Sequence, residues 1–210
     1  MRELEAGLWY WQAAHPDWTP GQRWPREVSS YAIDDSARVL LFDPLSVPDE
    51  LLELASDREP AVVLTAPWHE RDTRALVQRL GAPVFAPPPD TAQDLMHKYG
   101  VTAEQAGDGS PDLAWLRDRN FGRLPDGIDA VAGREHNDLV LWIERRRVIV
   151  AGDTLVDFGR GLEVNQWLRG GVSREAVLAR LRPLLDKPIE LVLPAHGAPT
   201  DRAALERALS

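Results

Sequence analysis

Segment order constrains this chain more than any single residue does. Residues 8–13, 28–33 and 39–42 are rich in aromatic and β-branched side chains and read as strands. Two further strands follow at 61–65 and 83–85, preceded by helices that open at Pro48 and at Arg71 respectively. The plan then recurs. Strands at 128–131, 138–143 and 148–150, the last two joined by a charged corner at 144–147, precede a helix over 173–185, a strand at 191–193 and a helix over 200–209. An uninterrupted run such as 61–65 belongs to a strand buried on both faces. Two strand-rich halves with helices between their later strands are expected to fold as an α/β protein: a four-layer αββα sandwich of two mixed β-sheets, one domain over residues 1–210. Residues 87–127 are the least regular part, with breakers at 87–89 and 107–111 and two short helices expected at 91–98 and 112–120.

Composition narrows the function classes. A net charge of -9 argues against binding nucleic acid through bulk electrostatics. There are no cysteines, so disulfides, thiolate nucleophiles and cysteine-ligated metals are excluded. No stretch has the roughly 18–20 apolar residues of a membrane span, and the first residues lack a basic-then-apolar leader, so a cytoplasmic protein without a membrane partner is expected. Four of the eight tryptophans fall in the first 24 residues. Trp18 and Trp24 lie in a turn-rich loop over 15–25, suited either to overhanging a cleft or to a homodimer contact.

Four loops carry residues able to ligate a metal: His69 after the 61–65 run, His136 before the 138–143 strand, Asp153 after 148–150, and His196 after 191–193. Taken singly, each is an ordinary turn or loop residue. Together they put histidines and a carboxylate at strand ends, where α/β proteins place their ligands and from which hydrolytic zinc sites draw. His69-Glu70-Arg71-Asp72-Thr73 is not the helical H-E-x-x-H zinc motif, because Thr73 stands where the second histidine belongs.

In this order and context the four pieces resemble the metallo-β-lactamase-fold hydrolase superfamily, over roughly residues 30–197, as a divergent member with a degenerate first histidine motif. The family's T-H-x-H-x-D-H becomes Thr65-Ala66-Pro67-Trp68-His69-Glu70-Arg71-Asp72, with one extra residue after Thr65. Pro67 then stands for the first histidine, His69 for the second, Arg71 for the aspartate and Asp72 for the last histidine. Asp43-Pro44 falls where the family ends an early strand with an aspartate and a turn. His136 resembles the next histidine ligand, Asp153 the bridging aspartate and His196 the final histidine.

The resemblance implies a metal set of His69, Asp72, His136, Asp153 and His196, with Asp72, Arg71 and Asp153 in catalytic roles. Proline cannot ligate through its side chain, and a guanidinium does not shed its proton, so one divalent ion rather than two is expected. Zinc is the first choice, and the Asp72 oxygen admits manganese or iron. The function implied is a metal-dependent hydrolase that directs a metal-activated water at an ester, thioester, lactone or related small-molecule bond. The alternative is a non-catalytic protein of the same fold that binds a small ligand or a protein partner, with metal binding weakened or lost. Arg71 decides between them: it either stabilises an anion or occupies the metal's place.

Overall fold

The computed structural model describes residues 1–116 and 120–210. A first sheet holds seven strands in chain order: β1 (Arg2–Glu5), β2 (Leu8–Ala14), β3 (Glu27–Asp34), β4 (Arg38–Phe42), β5 (Glu59–Val63), β6 (Val84–Ala86) and β7 (Asn120–Phe121). The pairs from β1 to β4 are antiparallel and those from β4 to β7 parallel. Helices α1 (Asp49–Ser56) and α2 (Thr73–Leu80) make the crossovers that parallel pairing requires, and α3 (Ala92–Tyr99) and α4 (Ala103–Ala106) lie between β6 and β7. The second sheet contains β8 (Ile128–Ala132), β9 (Leu139–Ile143) and β10 (Val148–Gly152). Beyond a small ribbon of β11 (Leu155–Val156) and β12 (Glu163–Val164), helix α5 (Arg174–Leu181) leads to β13 (Leu191–Pro194), parallel to β10. An edge strand, β14 (Thr200–Asp201), and α6 (Arg202–Ala208) end the fold.

Alternation along the strands builds the layers. In β4, Val39 and Leu41 pack outward under the first pair of helices, while Leu40 and Phe42 point into the gap between the sheets. In β10, Ile149 and Ala151 face α5 and α6, whereas Val148 and Val150 meet the first sheet's inner face. Each strand is therefore buried on both sides, which is why these runs read as continuously apolar. At about 1.5–3 kcal/mol per fully buried large aliphatic or aromatic side chain, the inter-sheet layer of Leu8, Tyr31, Phe42, Leu141, Val150 and Leu193 is a main source of cohesion. The αββα expectation agrees with this arrangement.

Local differences have local causes. The helix expected from Arg71 begins at Thr73, because residues Pro67–His69 form a 3-10 turn and Arg71 has φ +40°, which no helix accommodates. The helix expected over 173–185 ends at Leu181 and continues as a 3-10 turn containing Pro183, whose missing N–H cannot extend the α-ladder. Thr200 belongs to an edge strand, and Asp201 caps the last helix through Ala204 N. Of the helix expected over 112–120, residues 112–115 form turns, Asn120 opens β7, and 117–119 lie outside the described residues. The helix expected at 91–98 is α3, and a further short helix, α4, precedes the 112–120 stretch, fixed by a Thr102–Gln105 capping box.

Candidate active-site centre

β4 and β5 are parallel, and so are β10 and β13, so the loops that leave them emerge at common edges. Backbone and side-chain bonds join those edges across the two sheets. Tyr31 Oη donates to Pro194 O at 2.8 Å, Ser29 N to Ala195 O at 2.8 Å, and Leu139 N to Thr65 O at 2.8 Å. Asp43, His69, Asp153 and His196 converge there.

Asp43 follows β4 with φ +44°, a left-handed conformation that aspartate tolerates better than most residues. Its carboxylate accepts from Thr65 N at 2.9 Å and Thr65 Oγ1 at 2.6 Å, and lies 3.0 Å from His69 Nδ1. His69 Nε2 lies 3.3 Å from Asp153 Oδ1, and His196 Nε2 approaches the same oxygen at 3.4 Å. The imidazole of His69 is thus held between two carboxylates. Burial opposes a charge on the ring, but Asp43 and Asp153 outweigh it and lift its pKa to about 9. Burial likewise pushes the Asp153 carboxyl upward, yet His69 and His196 hold it well below the usual carboxylate range. The His196 ring is wedged between Trp24 and Phe158, with centroids at 5.2 and 5.6 Å, so the tryptophan-rich loop reaches the centre through Trp24.

The other oxygen of Asp153 is taken by groups outside the expected ligand set. Arg134 Nη2 and Trp68 Nε1 both donate to Oδ2 at 3.1 Å. Arg134 Nε donates to Asp138 Oδ2 at 2.6 Å and Nη1 to Trp167 O at 3.0 Å. Asp138 is fully buried and also accepts from Thr154 Oγ1 at 2.9 Å. Burial raises its pKa to about 6 against the opposing pull of Arg134. Across the site, Arg71 is anchored by its Nη1, which donates to Ser29 O at 2.9 Å and makes a short bond to Asp43 O.

The structure brings His69, Asp153 and His196 together, with Arg71 beside Asp43. It does not bring His136 or Asp72. His136 is exposed, and the residue of the 133–138 loop that meets Asp153 is Arg134. The cause is a close approach: a Cβ on Gly133 would lie 1.8 Å from Thr154 Oγ1, and Arg134 N donates to that oxygen at 3.1 Å. Residue 134 is thereby turned inward and residue 136 outward. Asp72 sits at the start of α2, where its Oδ2 accepts from Ser46 N at 2.6 Å and its own N–H bonds Pro44 O at 3.2 Å. It ties the 44–46 turn to the helix instead of facing the centre.

These residues do not fit the expected metal set. Arg134 already pairs with Asp138 and Asp153, and a divalent ion held by His69 and Asp153, even after displacing the His69 proton, would add positive charge beside that buried guanidinium. Among the described residues, the set of three potential ligands with donor atoms mutually within 4.8 Å is Asp90, Asp94 and His136, a group able to hold a metal ion. It lies beside Lys98, whose Nζ donates to Asp90 Oδ1 at 2.6 Å and pairs with Glu135. Arg134, Asp138 and Trp68 were not foreseen from sequence; Gly133 directly before an arginine and Asp138 heading an apolar strand were the signals available.

No family model matches the chain, and no curated protein matches it. Solved structures do. TTHA1623 in a di-iron-bound form is 23% identical, with 94% of this chain and 98% of that one covered at a TM-score of 0.59. The metallo-β-lactamase family protein TTHA1429 from Thermus thermophilus is 19% identical, covering 98% and 78%, at a TM-score of 0.59. A metallo-β-lactamase from Erythrobacter litoralis, crystallised with β-mercaptoethanol in its active site, is 13% identical, covering 99% and 93%, at 0.63. The chain has the metallo-β-lactamase fold.

Proposed function

We propose that this metallo-β-lactamase-fold chain is a small-ligand-binding protein in which an ion-pair network replaces the hydrolytic metal centre. One observation carries the reading. Arg134 spans Asp138 and Asp153 from a buried position, with bonds of 2.6 and 3.1 Å, and so directs a fixed positive charge at the carboxylate on which a metal site here would depend. Asp72 bonds Ser46 N and His136 is exposed, so neither meets that carboxylate, and Arg71 bonds the main-chain oxygens of Ser29 and Asp43. The overall charge of -9 favours a small molecule over nucleic acid as the ligand.

A second reading, a metal-dependent hydrolase, has its own support. Asp153 Oδ1 is buried without a hydrogen-bond partner, and two imidazole Nε2 atoms face it at 3.3 and 3.4 Å. The Asp43 carboxylate behind His69 is also the kind of partner that orients a ligating histidine.

Metal content by mass spectrometry on untagged protein separates the two. The ion-pair reading expects no metal dependent on Asp153. Any bound zinc, manganese or iron should persist in Asp153→Ala and vanish in His136→Ala, which removes a ligand of the Asp90–Asp94–His136 group. About one equivalent that is lost in Asp153→Ala and kept in His136→Ala would establish the hydrolytic centre instead.

A further inference from the structure

A cavity of about 360 Å³ lies on the outer side of Arg134, between α3, the end of β8 and the loop leading to α5. The loop closes on the helix at Gly170, which has φ +59° and where a Cβ would sit 2.8 Å from the His97 ring. Ala132 and Val172 give the cavity apolar wall. Its volume lies in the range that holds a small organic molecule.

The charges around it are uneven. Of its two acids, Glu135 is paired with Lys98, while Asp94 accepts from Thr91 N at 2.8 Å and Thr91 Oγ1 at 2.6 Å through Oδ2 and keeps its charge as part of the Asp90–Asp94–His136 group. Lys98 and Arg134 are buried in the wall with their own carboxylates. Arg169 and Arg180 also line the cavity, and among the described residues neither pairs with a carboxylate. Arg180 donates to Gly133 O at 2.9 Å through Nη1, and Arg169 stacks its guanidinium 4.5 Å over the Tyr99 ring. Two positioned guanidiniums without anionic partners, over an apolar wall, stand out on a chain whose net charge is -9.

We propose that this cavity binds a small organic anion, a carboxylate or phosphate monoester with a short apolar body. Its head pairs with Arg169 and Arg180 and its body lies against Ala132 and Val172. The proposal supplies a ligand class for the ligand-binding reading above and rests on it to that extent. Because Arg134 lines this cavity with one face and bonds Asp153 with the other, the bound anion would sit one side chain away from the centre.

Isothermal calorimetry on the full chain tests this with hexanoate, hexyl phosphate, inorganic phosphate and hexanol. Saturable binding of hexanoate or hexyl phosphate is expected, with weaker binding of phosphate and none of hexanol. An Arg169→Ala/Arg180→Ala double variant, altered only at exposed side chains, should bind about tenfold more weakly or worse. Ala132→Phe should block the cavity while both arginines remain. No saturable binding of either hexyl anion, unchanged affinity in the double variant, or equal binding of hexanol would overturn the proposal. Metal content of the same samples keeps the two ideas separate. Failed anion binding on protein with no Asp153-dependent metal sinks the cavity alone. An Asp153-dependent metal sinks the ion-pair reading, and the arginine variants then decide the cavity independently.

Discussion

The loops at residues 65–72 and 133–138 hold the same kinds of residue and send them in opposite directions. Each leaves or enters a buried strand and each carries a histidine and an arginine two residues apart. In the first loop both turn inward: His69 between Asp43 and Asp153, and Arg71 onto the oxygens of Ser29 and Asp43. In the second the arginine enters and the histidine stays in solvent. Residue type does not explain the difference. Backbone contact does: the 3-10 turn at Pro67–His69 and the left-handed Arg71 set the first, and Gly133 against Thr154 sets the second. A histidine in a loop is therefore weak evidence for a ligand until the path of the chain is known.

The sharpest way to break the comparison is Arg134→Ala. It leaves Asp138 and Asp153 buried beside each other without their guanidinium, which should cost about 3–5 kcal/mol by chemical denaturation. If Arg134→Ala is instead neutral, or increases stability when zinc is added, the arginine has been standing in a metal's place at no structural benefit.

A smaller effect should appear on titration. His69 has its pKa raised from 6.5 to about 9 in the folded chain. Its contribution is therefore complete below about pH 6.5 and is lost as pH rises through about 9. Thermal melts between pH 6 and 9.5 should show that decline in the native chain and a flatter profile in His69→Gln. Matching profiles in the two would mean that His69 is not held as an imidazolium between Asp43 and Asp153.

The smallest effects belong to the residues that face away. Asp72→Ala should cost about 1 kcal/mol through loss of the Ser46 bond, and His136→Ala should stay within about 0.5 kcal/mol. A large loss from His136→Ala would give the second loop an inward histidine after all.

Much of the fold was legible because burial on two faces leaves a mark in one dimension. The runs around Val39, Val62, Val140 and Ile149 are apolar at every position, and the helices between them carry recognisable stops such as Gly81. The short β1, with its sequence of Arg2, Glu3, Leu4 and Glu5, left no such mark, since an edge strand open to solvent needs no apolar alternation. The centre was half legible. Asp153 and His196 come one and two residues after parallel strands, so their place at a common edge came from strand order alone. Arg134 was not legible, because its direction depends on how closely residue 133 approaches Thr154, some 20 residues further along the chain.

Sequence by itself determined the layers, the sheet edges and the inventory of histidines, aspartates and arginines at those edges. Only the tertiary structure decided which of them meet. Hydrophobic burial is set by pattern and tolerates many side chains, whereas a charged centre is set by a few contacts near 3 Å. Those contacts placed Arg134 and His69 on Asp153 and turned Asp72 and His136 away from it.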